Sequence, residues 1–168
     1  MDRPARWAQD DPMPSAHAIR VQIHIKASPE SVWALVSHHE GTPGWIPQVE
    51  QVRITEVGRE QRTGVGAVRQ VKFRPRMWGT VLERIVVSTA PVRFHYVLFE
   101  GMPGLLEHEG RVSVEPHEGG TRLSWEVDFV FRSMHWFRPF VPSFVKTFEG
   151  VLSGALAEAK RQLEPVQV

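Results

Sequence analysis

Residues 119–131 read GGTRLSWEVDFVF. After the glycine pair, Leu123, Trp125, Val127, Phe129 and Phe131 alternate with Arg122, Ser124, Glu126 and Asp128. A period of two, apolar on one side and polar on the other, marks a strand that covers a core with one face and meets water with the other. Gly119 and Gly120, in "EPHEGGT", are expected to supply the positive φ of a tight turn, so the run before them becomes an antiparallel partner.

The same period extends back to residue 48. Strands are expected near 49–57, 66–73, 78–89, 92–99, 106–115 and 120–132, separated by "GREQRTG", "RPRM", "TAP", "EGMPG" and "PHEGG". Connections this short join antiparallel neighbours, giving a meander rather than a βαβ arrangement. Ahead of it, Ile19, Val21, Ile23 and Ile25 alternate with Arg20, Gln22, His24 and Lys26 as one further strand. "ASPESVWALVSHHEG" then opens as a helix, with Ser28 as N-cap, Pro29 at the first helical position and Glu30 at the positive end of the dipole. Val32, Trp33 and Val36 form its apolar stripe, and Gly41 is expected to close it in the left-handed conformation. "TPGWIP" adds a corner and a further turn, directing Trp45 and Ile46 at something apolar.

On the far side of the meander, "VPSFVKTFEGVLSGALAEAKRQLE" places Phe144, Phe148, Val151, Leu152, Ala155, Ala159 and Leu163 on one side of a long helix. Lys146, Glu149, Ser153, Glu158 and Lys160 take the other. Gly150 and Gly154 each cost such a helix about 1 kcal/mol against alanine, so either something approaches closely there or space is left empty. Residues 1–16 are polar and aperiodic and are read as a flexible leader, leaving 17–168 as a single domain.

Composition narrows the function classes. The 168 residues are 42% hydrophobic and 23% charged, with 20 basic and 19 acidic residues giving a net charge of +1. That balance offers no field for nucleic acid or an anionic membrane. The absence of cysteine removes disulfides, thiolate nucleophiles and zinc–thiolate sites. No run approaches the length of a membrane-spanning helix, and no secretory signal is legible, so a cytoplasmic location is expected. His-Glu-Gly occurs at 39–41, 108–110 and 117–119, but no metal-ligand spacing accompanies it. The first and last copies are read as solvated turns; in the middle one His108 and Glu109 point to opposite faces, and Gly110 hints at a bulge or a close backbone contact.

One strand, a helix pair, six meander strands and a long C-terminal helix resemble the START/Bet v 1-like (SRPBCC) superfamily, in particular its polyketide cyclase/dehydrase group. The resemblance is carried by "IKASPESVWALVSHHEGTPGWIPQVEQVRI", "GVGAVRQVKF", "VLERIVVSTAPVRFHYVLFEG" and "GRVSVEPHEGGTRLSWEVDF", most specifically by Ser28-Pro29-Glu30-Ser31-Val32-Trp33 and the "GGTRLSW" hairpin. It implies an α+β helix-grip fold, a seven-stranded curved antiparallel sheet around the C-terminal helix with a cavity between them. It also implies a hydrophobic or amphipathic small-molecule partner, lipid- or polyketide-like, with no cofactor. These are fold signatures, and the fold does not decide between carriage and catalysis.

Within that frame the strand phases name the candidate site. Arg69 shares a face with Val71 and Phe73, Glu83 with Val81, Ile85 and Val87, Tyr96 with Phe94 and Leu98, and His108 with Val112 and Val114. Arg69 can bind a carboxylate or enolate, as a cavity arginine does in aromatase-type relatives, snorkel to water, or pair with Glu83. Tyr96 and His108 are the other catalytic candidates, as hydrogen-bond donor and neutral acid/base. Trp45, Phe73, Trp78, Met102, Trp125 and Phe148 are expected lining. The apolar link "SMHWFRPFVPSF", Met134 to Phe144, with "EGMPGLL", is expected to gate the cavity or to make transient contact with a membrane or protein. Three functions follow: binding of an apolar ligand; a polyketide cyclase, aromatase or dehydrase in the same cavity; a non-enzymatic interaction module. Oligomeric state is not legible.

Overall fold

The computed structural model describes residues 15–74, 79–132 and 138–164. Seven strands form one antiparallel sheet: β1 (Ser15–Ile25), β2 (Val49–Glu56), β3 (Val68–Phe73), β4 (Thr80–Thr89), β5 (Arg93–Glu100), β6 (Leu105–His117) and β7 (Gly120–Phe131). Their order is β1-β7-β6-β5-β4-β3-β2, so the meander runs from one edge inward and β1 closes onto its last strand. Helix α1 (Pro29–Ser37) and a 3-10 segment (His39–Gly44) carry the chain from β1 at one edge to β2 at the other. A second 3-10 turn (Arg138–Phe140) leads into α2 (Val141–Leu163), which covers the inner face. This is the helix-grip fold.

Registers follow the alternation of the sequence. Ile19 lies opposite Val127, Val21 opposite Trp125 and Ile23 opposite Leu123, apolar against apolar on the inner face. On the outer face Arg20 donates to Asp128 at 2.7 Å, and Arg111 bonds both Glu126 and Asp128, a ladder of opposite charges open to water. The β6–β7 turn takes positive φ at Glu118 (36°) and Gly119 (75°), one position earlier than the expected glycine pair. β1 begins at Ser15, so its first residues belong to the stretch expected as leader.

β5 and β6 pair only from Arg93–Ser113 to Val97–Glu109. Beyond that point Leu98 and Glu100 stay with β4, while Leu105 to His108 stay with β7. The hairpin is therefore splayed at its tip, where Gly101 and Gly104 adopt positive φ.

Both helices depart from expectation at their glycines. Ser28 Oγ accepts from the Ser31 amide at 3.2 Å as the expected N-cap. But α1 ends at Ser37, whose hydroxyl donates to the Trp33 carbonyl, and Gly41 is not left-handed; it lies inside the 3-10 segment. In α2, Leu152, Ala155, Leu156 and Ala159 are buried against the sheet, whereas Gly150 and Gly154 are exposed, with nothing within 4 Å of where a Cβ would stand. Neither a close approach nor a cavity explains them. Gly154→Ala is expected to stabilise the protein by about 0.5–1 kcal/mol, read as a higher urea midpoint with unchanged slope.

Among the described residues no helix is long and apolar enough to cross a membrane. Trp78 and most of the apolar link, Met134, Trp136 and Phe137 included, lie outside the described residues. Of that link Phe140 is exposed, Val141 is buried, and Phe144 faces the sheet.

Candidate functional site

Between the inner face of the sheet and α2 lies a partly enclosed space of about 80 Å³. Its walls are apolar: Val71, Phe94 and Leu98 from the sheet's middle, Phe129 and Phe131 from β7, Phe144, Phe148 and Leu152 from α2, and Trp45 and Ile46 from the corner after the 3-10 segment. Against this wall stand four inward polar residues, Arg69 on β3, Glu83 on β4, Tyr96 on β5 and His108 on β6. Antiparallel register brings them together. Arg69 is directly opposite Glu83, and Tyr96 is opposite Gly110, two residues from His108 on the same face.

Arg69 is fixed from three sides. Its Nε donates to Glu83 Oε2 at 2.7 Å, its Nη1 to Nδ1 of His39 at 2.9 Å, and its guanidinium lies 4.5 Å above the Tyr96 ring. Because His39 Nδ1 accepts, the ring proton belongs on Nε2. Trp125 Nε1 donates to the Tyr96 hydroxyl at 3.0 Å. The Tyr96 ring fills the place where Gly110 lacks a side chain. Two buried polar atoms on the lining residues have no protein partner, the indole nitrogen of Trp45 and Nδ1 of His108.

The chain's sequence from residue 16 to 164 matches the family model described as polyketide cyclase/dehydrase and lipid transport. The chain belongs to this family. Among curated proteins none matches this cyclase/dehydrase-family chain. Solved structures share its fold at low identity. A START superfamily protein from Mycobacterium smegmatis is 19% identical, with 88% of this chain and 99% of that one covered at a TM-score of 0.71. The ZhuI aromatase/cyclase from Streptomyces sp. R1128 is also 19% identical, covering 90% and 98% at 0.71. Truncated norcoclaurine synthase from Thalictrum flavum is 16% identical, covering 94% and 99% at 0.67.

In this member of the family, Trp45, Arg69, Phe73, Glu83, Tyr96, Met102, His108, Trp125 and Phe148 all line the space. Arg69 is buried and paired with Glu83; it neither snorkels to water nor stands free for an anion. The pair's first neighbour, His39, was expected to be a solvated turn residue, yet it is 2% exposed and edge-on to Phe94. Only its neighbours fit the expectation, since His38 is exposed and Glu40 takes the Arg62 guanidinium at the surface. The 3-10 segment tightens the chain here and turns His39 inward, where Thr42 also donates to its carbonyl at 2.6 Å. No period marks so short a turn, so no sequence signal points to it. No group of three or more His, Asp or Glu that could hold a metal converges among the described residues.

Burial sets the protonation states. It holds His39 well below the ordinary imidazole value, with Arg69 and then His38 adding to the effect. His108 is lowered by burial, against an opposing pull from Glu83, and the Tyr96 phenol is pushed above its ordinary value by burial and Glu83. Both histidines therefore bind fewer protons folded than unfolded, so stability is full above about pH 6.5 and falls as pH drops below it. The expected slope reaches about 1.4 kcal/mol per pH unit for each histidine. Urea midpoints between pH 7.5 and 5.0 check this, and His108→Leu should flatten the curve.

Proposed function

We propose that the protein holds a hydrophobic or amphipathic small molecule between the sheet and α2. The observation that carries this reading is the partly enclosed apolar chamber with polar residues of four adjacent strands on its sheet side, an arrangement suited to a ligand with an apolar body and one oriented polar end. The chamber's 80 Å³ is below the roughly 300–1,000 Å³ of drug-sized sites. It is also smaller than the ~150 Å³ that holds a benzene ring. A larger occupant needs Phe144 and Phe148 on α2, with Met102 and Leu105 at the splayed hairpin, to move outward. Phe144 belongs to one of the two segments expected to gate the cavity, and Met102 and Leu105 to the other.

Carriage fits the site better than turnover. Arg69 is committed to Glu83 and His39, and the Tyr96 phenol, which keeps its proton, already accepts a hydrogen bond from the Trp125 indole and has only its O–H left to donate. That leaves His108 as the acid/base group without a protein partner on Nδ1. A cyclase or dehydrase reading, favoured by the family's name and by the likeness to an aromatase/cyclase, rests on that residue with the Tyr96 O–H as hydrogen-bond donor. Native mass spectrometry of the freshly purified protein tests the binding reading. A co-purifying or titrated apolar molecule, accompanied by slowed hydrogen exchange at 100–106 and 141–148, is the expected result. Failure of every apolar probe to bind sinks it.

A further inference from the structure

If the chamber is the binding site, as proposed above, its charge balance names the polar end of the occupant. Arg69 and Glu83 are the only cation and carboxylate among the chamber's described lining residues. Both side chains are under a tenth exposed and they bond to each other at 2.7 Å, so the wall carries no net charge. The guanidinium's Nη1 serves His39 at 2.9 Å, and its face rests on the Tyr96 ring at 4.5 Å. Burial keeps His39 and His108 neutral at pH 7.5. A carboxylate entering this chamber leaves its hydration and meets no uncompensated positive charge, which is costly.

The unpartnered atoms point to a different guest. The Trp45 indole is 3% exposed and His108 9%, and neither Trp45 Nε1 nor His108 Nδ1 reaches solvent or a protein partner. An indole N–H can only donate, and a buried donor without an acceptor is expensive until something supplies one. A neutral oxygen answers that need at no cost in charge.

We infer that the chamber takes an uncharged molecule whose apolar body carries a hydrogen-bond-accepting oxygen, a ketone, ester or alcohol, bonded to the Trp45 indole N–H, and that it excludes the carboxylate of the same skeleton. Trp45 is then the specificity-determining residue, and Arg69 with Glu83 is a neutral floor.

The test uses matched probes at pH 7.5, 2-acetylnaphthalene against 2-naphthoate and the one-ring pair acetophenone against benzoate, with naphthalene as the unfunctionalised reference, read by calorimetry or NMR titration. The ketones are expected to bind at least about tenfold tighter than the carboxylates. Trp45→Phe keeps a ring and deletes the donor; it should weaken the ketone by about tenfold more than it weakens naphthalene. Glu83→Gln, which removes the charge opposite Arg69, should narrow or reverse the preference. Carboxylates binding as tightly as ketones to the unaltered protein overturn the assignment, whatever the variants do. Naphthalene binding with no gain for the ketone overturns this assignment alone. Absence of binding by every probe overturns the chamber as a site.

Discussion

Glu83→Leu should cost about 3–5 kcal/mol of folding stability, because it strands the Arg69 guanidinium in a site under a tenth exposed. In a chain of this length that corresponds to a fall of roughly 10 °C in melting temperature. The companion variant makes the cause explicit. Arg69→Met combined with Glu83→Leu replaces the ion pair by two apolar side chains and should recover most of the loss. Recovery will be incomplete, because His39 Nδ1 loses its donor when Arg69 goes. If the double variant is no more stable than the single one, the loss comes from packing and not from an uncompensated charge.

Gly110→Ala is expected to damage both the fold and the proposed binding space by adding a single methyl group. A Cβ at this position falls far inside contact distance of the Tyr96 ring and hydroxyl. Tyr96 cannot yield cheaply, since its hydroxyl holds Trp125 and its face supports the Arg69 guanidinium. Tyr96 lines the 80 Å³ chamber, so a ring displaced inward would fill the proposed binding space. Overpacking of this kind costs about 1–3 kcal/mol, and ligand binding should be lost as well. In a Tyr96→Ala background the same substitution should be nearly neutral, because the ring that it strikes is gone. A double-mutant cycle by urea denaturation reads that coupling directly. Equal costs in both backgrounds would mean that the Gly110 backbone, and not the ring above it, sets the requirement.

Where an element is long enough to show its period, the sequence is legible down to single side chains. The phase of β3, β4, β5 and β6 made Arg69, Glu83, Tyr96 and His108 candidates for one cavity wall, because in an antiparallel meander phase fixes the face and short turns fix the order. The alternatives that remained open for Arg69 are closed by its distance to Glu83. His39 was missed because a six-residue 3-10 segment has no apolar face to read; its burial follows from how the corner folds against β2 and β3. Gly150 and Gly154 were misread for a related reason. Their positions in α2 were legible but the direction they face was not, until the sheet fixed which stripe of the helix is inward. The size of the chamber was invisible for a third reason, since it is a small residue of space left by many large side chains.

The splayed β5–β6 hairpin divides the sheet along a seam. On one side of it stand β2 to β5, with Arg69, Glu83 and Tyr96; on the other stand β6, β7 and β1, with His108, Gly110 and Trp125. Backbone bonding across the seam stops at Val97 and Glu109. Past that point no backbone pairing joins β5 to β6. The Trp125–Tyr96 hydrogen bond spans that line like a rivet, placed between the ordered part of the seam and the chamber. Residues of both halves line the chamber, so a molecule seated there would bridge the seam where backbone pairing does not.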